Sequence, residues 1–383
     1  MTDSSEPPAV RSVYVHAPFC ASRCSYCDFA VSVSPGADLP GWLEALRFEL
    51  GLLEEEGFYA PGPELDTLYV GGGTPSLLGP EAMAALADLL GRRRLGNPGL
   101  EWTAEANPES FSASLAGGWT RAGVNRLSLG VQSFDPAALR MLDRRHGAEE
   151  AISAVGIAQS AGLGNLNLDL IFGLPPEVQR DWDRDLDLAV ELGAPHISLY
   201  GLSVEADTPL GKDVEAGIVS HPSEETFRTE FLRAADRLTG EGYLHYEVSN
   251  FSLPGFQSLH NRTYWELEPY VGLGNGAHSY RGGRRRWNRR DWGDYRSACS
   301  EGTPPWGGEE ELGPSEVRLE SIWLGLRTSK GVPLANLTPE ARSLAEEWVS
   351  KGLGTLDAEG IRPNASGWLL LDELVVDMEL ALS

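Results

Sequence analysis

The sequence is poor in cysteine, in basic residues and in long apolar segments. Its four cysteines among 383 residues are too few for the disulfide framework of a secreted domain. Asp and Glu outnumber Lys and Arg by 56 to 31, and the net charge of −25 opposes general attraction to nucleic acid or anionic membranes. No apolar run approaches a membrane span, and the polar N-terminus lacks the apolar core of a signal peptide. These absences predict a cytoplasmic protein with no nucleic-acid partner and no stable membrane insertion.

Six short apolar, β-branched segments alternate with stretches that carry apolar residues at helical spacing. The segments cover residues 10–18, 66–73, 100–108, 124–132, 165–173 and 196–204. This alternation predicts βαβ units and a parallel sheet, an α/β fold. Polar or glycine-rich signatures end these segments, and the carboxyl ends of parallel strands meet at one edge of a sheet. The sequence therefore predicts one shared site there, built from Cys20 to Cys27, Gly71 to Thr74, Glu105, Gln132 and Asp169.

The strand rhythm breaks after about residue 205. A helix-rich stretch follows, and then an aromatic and Arg-rich region from His260 to roughly Tyr295. The Gly- and Pro-rich segment 301–316 is typical of a linker. Beyond it we expect a small α+β appendage that ends in a strand-like segment, 367–383. The predicted domains are 1–205, 206–300 and 301–383.

Three cysteines, Cys20, Cys24 and Cys27, lie in the segment HAPFCASRCSYCDF. Thiolates at this spacing can each bind one iron of a 4Fe-4S cubane and leave the fourth iron without a protein ligand. That iron can chelate the amino and carboxylate groups of S-adenosylmethionine (SAM), so that electron transfer cleaves a carbon–sulfur bond. The alternative is a structural zinc site, which needs a fourth ligand such as His16 or Cys299. We interpret Cys299 as an ordinary, inert thiol.

The cysteine segment, GGGT at 71–74, EANPE, GVQSF, LDRRH and LDLIFGLP together resemble the radical SAM superfamily. Within it the chain resembles, over nearly its whole length, the coproporphyrinogen dehydrogenase-like branch that includes haem chaperones of the HemW type. The resemblance implies a partial (β/α)6 TIM-like barrel with a small C-terminal α+β domain, for which a winged helix is one form. It also implies that the cofactors are a 4Fe-4S cluster and SAM. The SAM-binding positions that it implies are Tyr14, Tyr26, Gly72, Gly73, Thr74, Glu105, Gln132, Arg144, Asp169 and Gly201.

Two features separate the enzymes of this branch from its chaperones. The dehydrogenases carry a further cysteine in CxxxCxxCxC, whereas Phe29 stands at that position here. The segment His260–Trp265, HNRTYW, resembles the HNxxYW signature of the haem chaperones. Imidazole is a normal axial ligand of haem iron, so His260 is the predicted haem ligand and His278 the next candidate.

The sequence thus predicts a chaperone that binds haem and transfers it to an acceptor protein. The alternative function is an oxygen-independent coproporphyrinogen III oxidase or another radical SAM oxidoreductase. A purely structural protein is disfavoured because all the cluster and SAM motifs are present. The sequence leaves a homodimer open.

An arginine cluster occupies positions 281 to 290. It is interpreted first as a solvated loop with structural pairs, for instance to Asp291 or Asp294. A cradle for haem propionates ranks second, since a guanidinium fork suits a carboxylate. Nucleic-acid binding ranks last because the rest of the chain is acidic.

Overall fold

A computed structural model describes residues 8–34 and 36–382 of the chain, and its largest sheet has 12 strands. The strand order in this sheet is β14-β13-β12-β11-β1-β4-β5-β6-β7-β8-β10-β9. All strands in chain order are β1 (Ser12–Ala17), β2 (Phe19–Cys20), β3 (Ser32–Val33), β4 (Thr67–Gly72), β5 (Glu101–Ala106), β6 (Arg126–Gln132), β7 (Asn165–Phe172), β8 (His196–Gly201), β9 (Leu244–Glu247), β10 (Asn250–Ser252), β11 (Tyr270–Leu273), β12 (His278–Arg281), β13 (Arg284–Asn288), β14 (Trp306–Glu311), β15 (Val332–Pro333), β16 (Gly354–Leu356) and β17 (Gly360–Pro363).

The six predicted strands are all present, as β1, β4, β5, β6, β7 and β8, and they are parallel neighbours in the sheet. Their side chains are buried almost throughout, as expected of strands that are covered on both faces. The register places Tyr14 beside Tyr69 and Gly130 beside Asp169. The predicted α/β fold is therefore confirmed.

Helices follow most of the parallel strands and begin at residues that accept hydrogen bonds from the first turn. For example, Asp135 accepts from the backbone N–H groups of Ala137 and Ala138 at the start of α4. The helices are α1 (Leu39–Glu56), α2 (Ala82–Leu90), α3 (Ala113–Ala122), α4 (Pro136–Met141), α5 (Ala148–Ser160), α6 (Trp182–Glu191), α7 (Pro209–Glu215), α8 (Glu224–Gly240), α9 (Leu259–Trp265), α10 (Trp292–Ser300), α11 (Pro314–Arg327), α12 (Pro339–Ser350), α13 (Ala365–Trp368) and α14 (Leu371–Leu382). None of these described helices is long and apolar enough to cross a membrane.

The sheet continues beyond the six-strand core. Strand β11 is parallel to β1, and β12, β13 and β14 extend that edge in antiparallel fashion. Strand β14 lies within the segment predicted as a linker, so that prediction was wrong for residues 306–311. The reason is electrostatic: arginines of β13 stand opposite glutamates of β14, and Arg286 donates to Glu309 over 2.9 Å.

The first interpretation of the arginine cluster was right about ion pairs but wrong about a solvated loop, because Arg281 lies on β12 and Arg284 to Arg286 lie on β13. The partners also differ from those expected. Arg284 and Arg286 pair with Glu309, Arg285 pairs with Glu320, and Arg290 pairs with Asp28. Asp291 instead accepts a hydrogen bond from the backbone N–H of Asp294 and begins α10.

The C-terminal region is α+β, with a three-stranded antiparallel sheet, β15-β17-β16, and helices α11 to α14. Its final segment was predicted to be strand-like and is the helix α14. Leu371, Leu374, Val375 and Met378 fall on one helical face and are buried, so the apolar residues follow a helical period. The winged-helix form and the domain boundaries at 205 and 300 stay predictions; the main sheet runs across both positions.

Candidate functional site

A cavity of about 690 Å³ opens at the carboxyl edge of the six parallel strands, and we call it the barrel cavity. The cysteine loop after β1, the glycine turn after β4 and the ends of β5 to β8 surround it. Twelve of the residues predicted from the strand ends or from the family resemblance line it: Cys20, Cys24, Tyr26, Cys27, Gly72, Gly73, Thr74, Glu105, Gln132, Arg144, Asp169 and Gly201. Tyr14 and His260 do not belong to this lining.

Cys20 ends β2, and Cys24 and Cys27 lie on the loop between β2 and β3, which pair with each other in parallel. A turn brings the N–H of Cys27 to within 3.2 Å of the carbonyl oxygen of Cys24. All three thiols are free and partly exposed, whereas Cys299 is buried between α1 and α10. The loop thus presents three thiols to one cavity and leaves Cys299 out of reach.

The surroundings of these thiols fit an iron–sulfur cluster. Sγ of Cys20 lies 3.5 Å from Oγ1 of Thr74, and Nη1 of Arg144 donates to Sγ of Cys24 over 3.4 Å. Donors of this kind stabilise the charge on cluster thiolates and tune the cluster's potential. Among the described residues, no three His, Cys, Asp or Glu side chains are grouped around one metal-ion position. A 4Fe-4S cubane does not require the thiols to converge on a single metal-ion position, because each thiolate binds a different iron.

Arg144 is fixed in the wall of the cavity, and one of its three side-chain nitrogens has no partner within the described protein. Its Nη2 donates to Oδ1 of Asn107 and to the carbonyl oxygen of Gly130, both over 2.7 Å. Its Nε is buried and has no hydrogen-bond partner within the protein. A buried N–H without a partner is costly, so Nε fits a carboxylate of a bound ligand, such as that of SAM.

Two partly buried carboxyl groups face the cavity, Glu105 from β5 and Asp169 from β7. Glu105 accepts from Tyr69 over 2.7 Å and from the N–H of Gly72 over 3.0 Å, and burial raises its pKa to about 7. Asp169 accepts from Ser128 over 3.1 Å, and burial raises its pKa to about 6. A cationic ligand would favour the ionised form of both groups, and SAM offers an ammonium and a sulfonium.

The glycines after β4 are required by the protein's own packing. A Cβ at Gly72, where φ is +109°, would lie 2.3 Å from the His16 ring, and one at Gly73 would lie 2.8 Å from the carbonyl of Pro18. Protein atoms therefore fill the space that the missing side chains of these two glycines would otherwise leave to a ligand. Gln132 has φ +67° although it is not a glycine, which is the kind of strain that concentrates at functional sites.

Three further predicted residues, Tyr26, Gly201 and Tyr14, differ in their position relative to the cavity. Tyr26 lies in the cavity wall, and burial raises the pKa of its hydroxyl while the charge of Arg144 opposes that rise. A Cβ at Gly201 would lie 2.3 Å from the Phe227 ring, so this glycine permits close packing. Tyr14 lies outside the cavity lining, stacks on Tyr69 and hydrogen-bonds to Nδ1 of His16, whose Nε2 is 3.0 Å from the carbonyl of Ala30 on the cysteine loop. Tyr14 therefore supports the cysteine loop through His16, and a SAM contact by Tyr14 stays a prediction.

His260 has the environment of a structural histidine. It is 1 % exposed, Nδ1 lies 2.7 Å from Oγ1 of Thr67, and Nε2 lies 2.7 Å from the hydroxyl of Tyr264. Its ring stacks on Tyr69, with 5.1 Å between centroids, and burial lowers its pKa to about 3. Haem ligation by His260 stays a prediction, because it requires one of these nitrogens to leave its partner. His278 is exposed and stacks on Trp287.

Two residues of the site were missed at the sequence level. Asn107 joins Thr74 to Arg144, and Tyr200 is 45 % exposed at the cavity. Asn107 stands inside EANPE, the segment that supplied Glu105, and Tyr200 ends a predicted strand beside Gly201. Both signals were therefore available, but a single asparagine or tyrosine has no chemistry specific enough to select it.

The comparisons with known proteins agree with this site. The sequence matches the radical SAM superfamily over residues 14–189. The heme chaperone HemW of Mycobacterium tuberculosis is 38% identical over 366 residues, which cover 95% of this chain and 93% of that protein. The chain belongs to the HemW family of radical SAM proteins. The Escherichia coli protein named heme chaperone HemW is 39% identical over 267 residues, 70% of this chain and 69% of its own length.

A solved structure shows the same fold for this HemW-family chain. The coproporphyrinogen III oxidase HemN from Escherichia coli, described as a radical SAM enzyme, superposes with a TM-score of 0.81. The match covers 98% of this chain and 90% of HemN at 22% sequence identity, a level at which it supports the fold alone. The radical SAM family implies a 4Fe-4S cluster and SAM, and the thiols and the orphan donor of Arg144 fit these two groups.

Proposed function

We propose that this protein is a haem chaperone that holds a 4Fe-4S cluster and SAM in the barrel cavity and transfers haem to an acceptor protein. The observation that carries the proposal is Phe29, which stands two residues after Cys27 and is 64% exposed. The dehydrogenases of the branch carry a cysteine at this position. The proposal is also supported by relatives that match most of this chain and carry the name heme chaperone HemW.

We assign a role to six polar residues of the barrel cavity. Cys20, Cys24 and Cys27 would hold the cluster, and Arg144 would pair a ligand carboxylate with its free Nε. Glu105 and Asp169 would accept hydrogen bonds from the ammonium and hydroxyl groups of SAM. Together, the cluster and SAM supply one-electron chemistry when bound. For the chaperone we assign them a part in transfer or its regulation.

The proposal places the protein in the cytoplasm, where thiols that ligate an oxygen-sensitive cluster stay reduced. The barrel cavity is already lined by the cysteines and the SAM-type residues. If both groups occupy it, haem needs a surface or cavity elsewhere on the molecule.

The test is anaerobic reconstitution of the full chain, followed by two separate assays. Haem retention and its withdrawal by the apo-form of a haem protein should both be observed by absorption spectroscopy. Incubation with coproporphyrinogen III, SAM and a reductant should yield no decarboxylated product. Multiple-turnover decarboxylation would overturn the chaperone proposal in favour of the oxidase, and failure to retain haem would also reject it.

A further inference from the structure

A second cavity, of about 760 Å³, lies between helices α9 and α11, and we call it the α9–α11 cavity. We propose that it is the haem site. Its apolar side chains contact the porphyrin ring, and its basic side chains bind the two propionates. This inference rests on the proposed function, because it names the place of the cargo. It concerns a part of the molecule separate from the barrel cavity.

The size and lining of the α9–α11 cavity suit a flat apolar ligand. Its volume lies within the range of small-molecule sites, which are mostly apolar with a few placed polar groups. The indole of Trp265 stands in the wall next to Tyr246, with 5.8 Å between ring centroids. The other apolar side chains of the wall are Leu267, Pro314, Val317, Ile322, Leu324, Val332, Pro333 and Leu382.

The charge of the α9–α11 cavity is opposite to that of the protein. Its lining holds three basic residues, Arg262, Arg318 and Lys330, and one acidic residue, Glu266, so the difference among the described residues is 3 − 1 = +2. The chain as a whole carries −25. Two unbalanced positive charges beside apolar walls match the two carboxylates of haem, and arginine suits carboxylates in particular.

The partners of these cations show where the excess lies. Arg262 and Lys330 share the single carboxylate of Glu266, with Nη2 of Arg262 at 2.9 Å from Oε1. Arg318 donates to a backbone carbonyl, that of Leu382, over 3.3 Å. One shared carboxylate cannot neutralise two cations, and a carbonyl carries no net charge. Arg318 and one of the other two cations therefore stay available to an anionic ligand.

Helix α9 lies between the core sheet and the α9–α11 cavity, and its residues divide by face. His260 and Thr263 point to the core sheet, where they meet Thr67 and Ser12. Arg262, Trp265 and Glu266 at the end of the helix line the α9–α11 cavity. On this reading the HNRTYW segment serves haem mainly through Arg262 and Trp265, and His260 is a positioning residue that anchors the helix to β4.

Among the described residues the lining contains no histidine, methionine or cysteine. Its one tyrosine, Tyr246, has its hydroxyl 2.7 Å from Nε2 of His196 and accepts from the N–H of Ser258 over 3.2 Å, so this group is already engaged within the protein. The proposed site therefore recognises the ring and its propionates rather than the iron. Metal-free protoporphyrin should bind to it and compete with haem, whereas the dimethyl ester of protoporphyrin, which lacks the two negative charges, should bind more weakly.

The experiment measures the dissociation constant of haem and of metal-free protoporphyrin for the full chain by quenching of tryptophan fluorescence. Two variants test the site: Arg318→Gln with Lys330→Gln, and Ser321→Trp, which places an indole in the cavity from an exposed position of α11. Matched controls are Arg92→Gln, which removes one positive charge on a distant surface, and Ser315→Trp, on α11 but outside the lining.

We expect each test variant to weaken both ligands by about tenfold or more, and each control to stay within about twofold. Circular dichroism should show all four variants folded. Wild-type haem affinity in both test variants would overturn the site while leaving the haem chaperone in place. If the wild-type chain binds no haem at all, the proposed function itself falls, and this site falls with it.

Discussion

Nη1 of Arg144 donates a hydrogen bond to Sγ of Cys24 across 3.4 Å, and so joins two segments that are 120 residues apart in sequence. The same guanidinium contacts Asn107 and leaves Nε without a partner. One side chain therefore connects the thiols to the region that fits a ligand carboxylate. We expect the cluster to depend on the three thiols and SAM binding to depend on the unpartnered Nε. The variants below test these two requirements separately.

Replacement of Cys20, Cys24 or Cys27 by Ala should abolish the cluster, because each thiolate binds its own iron. Anaerobically reconstituted wild type should hold about four irons per chain. Cys299→Ala is the control and should keep the full iron content, since this thiol is buried away from the cavity. Iron analysis and visible absorption measure both results. Stoichiometric zinc without iron-dependent absorption would contradict the assignment.

Replacement of Arg144 by Gln should weaken SAM binding, because the orphan Nε donor and the positive charge are both removed. A hydrogen bond to a charged group is worth about 1.5–3 kcal/mol, so the affinity measured by calorimetry should fall roughly tenfold or more. The cluster should still assemble, since all three thiols remain. Arg140→Gln on the exposed side of α4 should leave the affinity as in the wild type. Unchanged affinity in Arg144→Gln would remove SAM from this wall of the cavity.

Glu105 should make stability depend on pH. Burial raises its pKa from 4.5 to about 7, so between these values the folded state binds more protons than the unfolded state. The resulting stabilisation is present below pH 4.5 and is lost as the pH rises through about 7. Glu105→Gln should reduce this loss by an amount on the order of 1–3 kcal/mol, compared by urea unfolding at about pH 5 and about pH 7.5.

The control for this pH effect is Glu44→Gln, which changes an exposed glutamate on α1. Its pH profile should follow that of the wild type. An equally steep loss of stability in Glu105→Gln would show that other buried carboxyl groups, such as Asp169, dominate the profile.

His260→Ala should lower the free energy of unfolding by about 2–3 kcal/mol, because Thr67 and Tyr264 lose a buried partner. His260→Gln retains polar atoms and should restore part of this stability. If His260 is a positioning residue, as its two hydrogen bonds indicate, the Soret band of bound haem should be unchanged in folded His260→Gln. A shifted band would instead identify His260 as the axial ligand, and the same measurement on His278→Gln serves as the comparison.

The sequence alone determined the chemistry-bearing edge of the sheet. The cysteine spacing, the glycine turn and the polar residues after each apolar segment predict the barrel cavity, because parallel strands bring their carboxyl ends together whatever lies between them. Glu105, Gln132 and Asp169 could be placed in the site for this reason, whereas Arg144 was placed there only by the resemblance to the radical SAM superfamily. Local patterns were less decisive at 306–311 and 371–382. The expected linker at 306–311 forms a strand because its glutamates pair with arginines of β13. The segment 371–382 is a helix because its apolar residues follow a helical period.

Only the tertiary structure decided what surrounds each side chain. His260 and Trp265 stand in one short motif, yet the histidine is buried against β4 and the indole lines the α9–α11 cavity. Nε of Arg144 is unpartnered because no described residue offers it an acceptor, and the carboxylate of Glu266 is shared because Lys330 reaches it from a distant part of the chain. Burial and hydrogen-bond satisfaction are properties of contacts between distant segments, and spacing along a chain does not encode them.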